Sequence, residues 1–234
     1  MRLFAIGDLH MSGGEDKPMD VFGAQWDRHF YHICENWKSM VSEEDTVLIP
    51  GDISWAMRLR EAADDLQKIG ELPGKKILCK GNHDYWWNSV SQVRSCLPPS
   101  VHALQHSAVD VGEYVVCGTR GWQIPTAEQQ LEAADDRIFR REVERLRLAL
   151  GEAVRMAEGR PVITMMHFPP LLAGEKDTAF TAALETYGAN CVVYGHLHGL
   201  GIQSGFTGEH HGIRYHLVSC DSIGFSPKEI IPGR

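Results

Sequence analysis

Asp8, His10, Asp52, Asn82, His83, His167, His196 and His198 all stand where a short apolar run breaks off, in the segments LFAIGDLH, VLIPGDIS, KILCKGNHD, VITMMHFP and CVVYGHLH. Imidazoles and carboxylates are the ligands of transition metals, and imidazole is also the side chain that moves protons near neutral pH. Each cluster taken singly has a plainer reading. Asp-x-His caps helices, Gly-Asp makes turns, Asn-His-Asp makes an Asx-turn, and one His before Phe-Pro-Pro is most simply structural. Their conjunction weighs differently. Two aspartates, an asparagine and several histidines at consecutive strand ends would bury charge together at substantial cost, and metal ions are the natural compensation.

The ligand types narrow the metal. Imidazole and carboxylate without thiolate suit Mn, Fe or Zn, with Mn placed first, and the excess of histidine argues against Ca or Mg. Seven ligands exceed one coordination sphere once a position is kept open for substrate. Two ions roughly 3.5–4 Å apart, sharing a carboxylate and a water, would use them all. The expectation is a dinuclear site.

The elements that must position these residues follow from the apolar pattern. Runs this short, rich in Val, Ile and Leu and ended by Gly or Pro, read as buried strands, and ligands of α/β sheets gather beyond the carboxyl ends of their strands. After the first strand comes the Gly- and Pro-punctuated loop MSGGEDKPMDVFG, then a helical pattern in AQWDRHFYHICENWKSMV. A strand is expected at Thr46 to Ile49, a helix at Arg58 to Ile69, a turn at Pro73-Gly74, a strand at Ile77 to Cys79 and a helix near Ser89 to Cys96. Such alternation argues for an α/β architecture. The stretch VHALQHSAVDVGEYVVCGTRGW looks like paired strands, and a long charged helix follows it at about 126–158, with a break near Gly151 and a buried stripe of Ile138, Val143, Leu146, Leu150 and Val154. Beyond His198, GLGIQSGFTGEHHGIRYHLVSCDSIGF reads as two strand-like runs joined across Thr207 to Gly212.

The 234 residues, 43% hydrophobic, suffice for a substantial core, and residues 1–234 are taken as one domain. MRLFAIGDLH runs straight into a strand without the marks of a signal peptide, and no apolar run approaches the ~18 residues of a membrane span. A cytoplasmic, membrane-free protein is expected. The six cysteines are scattered without a CxxC pair, and Cys79, Cys117 and Cys191 fall within or at the ends of apolar runs, where they read as small buried hydrophobes. The net charge of -8 disfavours a partner such as long nucleic acid, which needs a basic face. It argues only weakly against a small phosphorylated substrate, because local metal charge can override the global sign.

In order and spacing, Asp8-x-His10, Gly51-Asp52, Gly81-Asn82-His83-Asp84, His167 and Gly195-His196-x-His198 resemble the calcineurin-like metallophosphoesterase superfamily over nearly the whole chain. The resemblance implies a four-layer α/β/β/α sandwich with mixed sheets and the metal site at the strand C-terminal ends. It implies that Asp8, His10 and His198 hold one metal, that Asn82, His167 and His196 hold the other, and that Asp52 bridges them. It places His83 beside the pair as general acid. Two divalent ions less two carboxylates leave a positive site that attracts a phosphoryl group, and bound water acidified toward pKa ~7 supplies hydroxide for in-line attack at phosphorus. The implied activity is metal-dependent hydrolysis of a phosphomonoester or phosphodiester, of a small or nucleotide-like substrate. The alternatives are a catalytically weak scaffold, which should have lost ligands that this chain retains, and a nuclease, which should carry a basic groove.

The chain departs from the family pattern at Trp55, where many members have an acidic residue that orients the acid histidine. Trp55 either lines the pocket or packs, and Asp84 cannot simply be assumed to replace the missing acid. Gly118-Thr119-Arg120-Gly121-Trp122 offers a substrate clamp, Arg120 for phosphate and Trp122 for a base or sugar; a turn with a solvated Arg and a core Trp has slightly the greater weight. Tyr85, Trp86 and Trp87 are read as helix anchors rather than a pocket wall. His29, His32, His210 and His211 have surface or packing roles by default. Asp221 is either a turn cap or the partner of a ligating histidine.

Overall fold

The computed structural model describes residues 1–13, 19–126, 128–175 and 177–231. Part of the loop after the first strand, and residue 127 of the anticipated long helix, lie outside them. The strands are β1 (Leu3–Ala5), β2 (Thr46–Pro50), β3 (Lys75–Cys79), β4 (Val101–Leu104), β5 (Ser107–Asp110), β6 (Val115–Thr119), β7 (Val162–Met166), β8 (Cys191–Tyr194), β9 (Gly208–His210), β10 (Ile213–Leu217) and β11 (Lys228–Glu229). The helices are α1 (His29–Met40), α2 (Leu59–Gly70), α3 (Val90–Cys96), α4 (Ala133–Ala157) and α5 (Ala179–Thr186).

A five-stranded sheet runs β11-β1-β2-β3-β4 and a six-stranded one β5-β6-β7-β8-β10-β9. Strands β1 to β4 are mutually parallel, as are β6, β7, β8 and β10, and the antiparallel strands β11, β5 and β9 lie at sheet edges. The central strands are apolar on both faces because both faces are buried. Phe4, Val47, Ile49 and Leu78 pack against α1, α2 and α3, through Ile33, Trp37, Leu66, Ile69 and Val93. Leu3, Ala5, Leu48, Ile77 and Cys79 turn the other way and meet Val116, Ile163, Met165 and Val193 of the second sheet. The outer face of that sheet, with Cys117, Val192, Tyr194 and Tyr215, is covered by α4 and α5. The result is the expected mixed α/β sandwich, with each fully buried Leu or Ile contributing roughly 1.5–3 kcal/mol.

Four local readings are corrected. Helix α4 begins at Ala133 because Thr126 first closes a turn on Gln129, the Gln129 N–H donating to its hydroxyl at 3.0 Å and the Thr126 N–H to the Gln129 carbonyl at 2.9 Å. It runs unbroken through Gly151, and the buried stripe continues as Ala149, Leu150, Ala153 and Ala157, while Val154 is 44% exposed. The run after His198 is a 3-10 turn at Gly199–Ser204, and the antiparallel pair β9 and β10 turns at His211-Gly212, where both φ angles are positive. Strands β4 and β5 do not pair. The chain crosses between the sheets through Gln105-His106, and β5 pairs with β6 instead. Cys79, Cys117, Cys191 and Cys220 are buried and free.

Candidate metal centre

Parallel β1, β2 and β3 deliver the first three clusters to one edge, and parallel β7 and β8 deliver the last two. The edges are joined where Gly7, just past β1, donates to the Val218 carbonyl at 2.7 Å and accepts from the Cys220 N–H at 3.0 Å. That splice brings Asp8 under the β8 loop, where the His196 N–H donates to both of its carboxylate oxygens, at 3.0 and 3.1 Å. Gly195 is required there, since a Cβ would collide with the Asp8 carboxylate; one on Gly81 would collide with Asp52. Asp8 (φ 58), His10 (φ 42), Asp52 (φ 51) and His196 (φ 75) all hold left-handed backbone conformations. These cost energy for non-glycine residues, and such strain concentrates at functional sites.

The donors fall into two groups. In one, Asn82 Oδ1 lies 2.6 Å from His167 Nε2 and 2.9 Å from His196 Nδ1, and the two nitrogens are 3.3 Å apart. His167 Nδ1 donates to the Pro50 carbonyl at 3.0 Å, so its Nε2 turns a lone pair toward the Asn82 oxygen. In the other, donor atoms of Asp8, His10 and His198 lie within 4.8 Å of one another. His198 Nδ1 is held by Asp221 Oδ1 at 2.9 Å, and its Nε2 is 3.4 Å from Asp8 Oδ1. Asp52 reaches both groups. Its Oδ1 accepts the His83 N–H at 2.8 Å, leaving Oδ2 at 3.5 Å from His167 Nε2 and 3.8 Å from His10 Nε2.

Metal ions fit this arrangement on its own evidence. His10 Nδ1 is a buried polar atom without a hydrogen-bond partner, His198 Nε2 has only the 3.4 Å approach to Asp8 Oδ1, and Asn82 and His167 turn lone pairs on each other. A cation satisfies such a set where a proton network does not. The side-chain electrostatics agree. Burial and the facing Asp8 carboxylate push Asp52 up to about 8. Burial also acts on Asp8, but His198, His167 and His10 outweigh it and hold that carboxyl well below the usual range. Against burial, the Asp221 and Asp8 carboxylates raise His198 to about 10, whereas burial lowers His10 and His196 to about 3.

His83 sits beside the groups rather than in them, its Nε2 4.0 Å from Asp52 Oδ2. In place of an acidic partner it has the Trp55 indole, with ring centroids 4.5 Å apart; Trp55 also stacks on His10 at 4.8 Å and 20°. Burial, then His167, lowers the pKa of His83. Asp84 does not orient His83. It is fully buried and binds the backbone N–H groups of Gly81, Ile53 and Ser54 and the Trp86 indole at 2.7–3.2 Å, tying the loops after β2 and β3 together.

Next to this centre is a cavity of about 110 Å³ lined by His10, His83 and His198 and by Met19, Phe22, Trp26 and Trp55. Trp26, which the helical pattern of its segment gives no reason to single out, meets His198 edge-on at 5.6 Å. No local signal distinguishes it from a core tryptophan. Arg120 and Trp122 do not join the donors. The Arg120 carbonyl accepts the His167 and Phe168 N–H groups, while its guanidinium lies 4.6 Å from the centre of the Trp122 ring. The Trp122 indole donates to Asp135 at 3.2 Å. His29 is buried and bonded to the Leu9 carbonyl at 2.8 Å, bracing the segment between Asp8 and His10, and His32 is exposed. Trp86 and Trp87 are buried anchors and Tyr85 is 53% exposed.

The calcineurin-like phosphoesterase family model matches residues 1–200, and the chain belongs to that family. No curated protein matches it. Among solved structures it is similar to the phosphopantetheinyl hydrolase PptH of Mycobacterium tuberculosis, at 16% identity and TM-score 0.58 over 99% of this chain and 96% of that one. It is also similar to the Aquifex aeolicus protein of unknown function AQ665, at 13% identity and TM-score 0.52 over 97% and 95%. TT1561 of Thermus thermophilus matches at 16% identity and TM-score 0.51 over 84% and 82%. At these identities the likeness is one of fold. Among the described residues no helix is long and apolar enough to cross a membrane.

Proposed function

We propose that this phosphoesterase-family chain is a dinuclear metal-dependent phosphohydrolase that cleaves a small phosphomonoester or phosphodiester. The observation that carries the reading is the reach of Asp52, whose Oδ2 faces His10 of one donor group and His167 of the other, 3.8 and 3.5 Å away. Two divalent transition ions, Mn before Fe or Zn, would supply Lewis acidity and an activated water when bound. Asp8, His10 and His198 would hold one, Asn82, His167 and His196 the other, and Asp52 would bridge.

The chain's own residues do the rest. Asp221 orients His198 through Nδ1, and the Pro50 carbonyl orients His167 in the same way, so that each presents its Nε2. His83, 36% exposed and 4.0 Å from Asp52 Oδ2, would give a proton to the leaving oxygen. Met19, Phe22, Trp26 and Trp55 form an apolar wall that excludes water from one side and accepts an apolar or planar part of the substrate. The retained donor set weighs against a scaffold role. PptH, named a phosphopantetheinyl hydrolase, agrees with the reaction class and leaves the substrate open.

The test is hydrolysis of para-nitrophenyl phosphate and its bis-ester with added Mn, Fe or Zn, repeated with Asp52→Asn and His83→Ala. Metal-dependent turnover that Asp52→Asn abolishes is expected. Undiminished activity in both variants, or no bound metal and no turnover with any of the ions, overturns the reading.

A further inference from the structure

A second cavity, of about 190 Å³, opens at the C-terminal ends of β3, β4 and β6 beneath α4. Lys80, Arg120, Arg141, Arg145 and His106 line it, with Glu142 as its carboxylate. Glu142 is 1% exposed and fully committed: Oε2 accepts the Thr119 hydroxyl and Oε1 the Arg145 guanidinium, both at 2.6 Å. It is the one carboxylate among the cavity's lining residues. Arg141 has no ion pair among the described residues, Arg120 faces the Trp122 ring, and Lys80 gives one N–H to the Trp87 carbonyl at 2.6 Å. His106 Nδ1 is buried without a partner.

Lys80, Arg120 and Arg145 are half-buried and Arg141 is exposed, so four basic side chains face one carboxylate and leave the cavity an excess of positive charge that an anion would offset. Guanidinium forks match the oxygens of a phosphate, and an ammonium adds a point charge. The cavity and the candidate metal centre are joined through the chain segments they share. Lys80 lies two residues before Asn82 in the chain, and the Arg120 carbonyl holds the N–H of His167.

We propose that this cavity binds a second phosphate or like oxyanion of the substrate, remote from the bond that is cleaved. The assignment to the substrate rests on the phosphohydrolase reading; the anion site itself does not. Two measurements separate them. Metal-free protein is titrated with inorganic phosphate by calorimetry, and Arg141→Gln should weaken binding about tenfold, whereas Arg140→Gln, on the same helix but outside the cavity, should not. Equal binding by parent and Arg141→Gln, or no saturable binding, overturns the site. Alkane bisphosphonates of increasing length are then tested as inhibitors of para-nitrophenyl phosphate hydrolysis. One length should inhibit at least about tenfold better than the matching monophosphonate, and Arg141→Gln should remove that advantage. Weakened phosphate binding without any length advantage overturns the assignment to the substrate. Absence of hydrolysis sinks the phosphohydrolase reading alone, because the calorimetric titration needs no turnover.

Discussion

His198 and Asp221, 23 residues apart in sequence, are joined by a 2.9 Å contact between Nδ1 and Oδ1, and this contact turns the other ring nitrogen of His198 toward Asp8. The second carboxylate oxygen of Asp221 takes the Gly199 N–H at 3.0 Å, so the acid fixes both the loop and the ring. Partners of this kind typically govern metal affinity 10–100-fold. Asp221→Asn is therefore expected to weaken the binding of one metal equivalent by about that factor while leaving the other, as read by calorimetric titration with Mn or Zn. Unchanged affinity for both equivalents would remove Asp221 from the site.

Asp52 yields a prediction whose sign reverses with metal. Without metal its carboxyl is raised to about 8 by burial and by Asp8, against about 4 in an unfolded chain. Between those pH values the folded state holds a proton that the unfolded state lacks, so this group's contribution to stability falls as pH rises. Asp52→Asn should thus stabilise the metal-free protein at pH 8 by at least about 1 kcal/mol, or about 2–4 °C in Tm. With saturating metal the same variant should be less stable than the parent. Metal binding near pH 7 should also release protons, visible as a buffer-dependent binding enthalpy.

His83 has an indole where a carboxylate would hold it, and its pKa is lowered by burial and by His167. His83→Ala is expected to cost about 10²–10⁴-fold on an alkyl phosphate, which needs a proton on its leaving oxygen, and far less on para-nitrophenyl phosphate. For the alkyl ester, activity should fall as pH rises through a value below the ordinary imidazole range. Equal losses on both esters would argue for a positioning role instead.

Gly81 and Gly195 have ordinary backbone conformations, so their need for glycine is steric: a Cβ on either would strike the carboxylate of Asp52 or Asp8. Gly81→Ala and Gly195→Ala should each lose metal binding and about 1–3 kcal/mol of stability from overpacking. Metal content after dialysis and thermal unfolding would report both. Retention of full metal content would show that the carboxylates can move aside.

Asp84 accepts three backbone N–H groups and an indole N–H while fully buried. Asp84→Ala strands all four donors, each worth about 1–3 kcal/mol when left unpaired and dry, so urea unfolding should show a loss above about 3 kcal/mol. Asp84→Asn should be milder, since its amide oxygen still serves Ile53, Ser54 and Trp86.

The alternation of two-sided apolar runs with helical patterns, and the donor types at the ends of those runs, were legible in the chain because both are local. A strand buried on two faces must be apolar throughout, and a parallel strand must end in a loop. The same locality explains the failures. Thr126 delayed α4 through a side-chain turn, and Val154 missed the core because small alanines took the positions against the second sheet. Which donors face one another was decided only by the tertiary structure. His196 and His198 are two residues apart yet serve different groups, because the packing of one sheet edge on the other sets which remote side chain each one meets. The same packing put Trp55 against His83, sent Asp84 into the backbone and turned Arg120 toward a second cavity. Residue types and spacing specify the available chemistry; the distances that combine it depend on contacts between segments far apart in the chain.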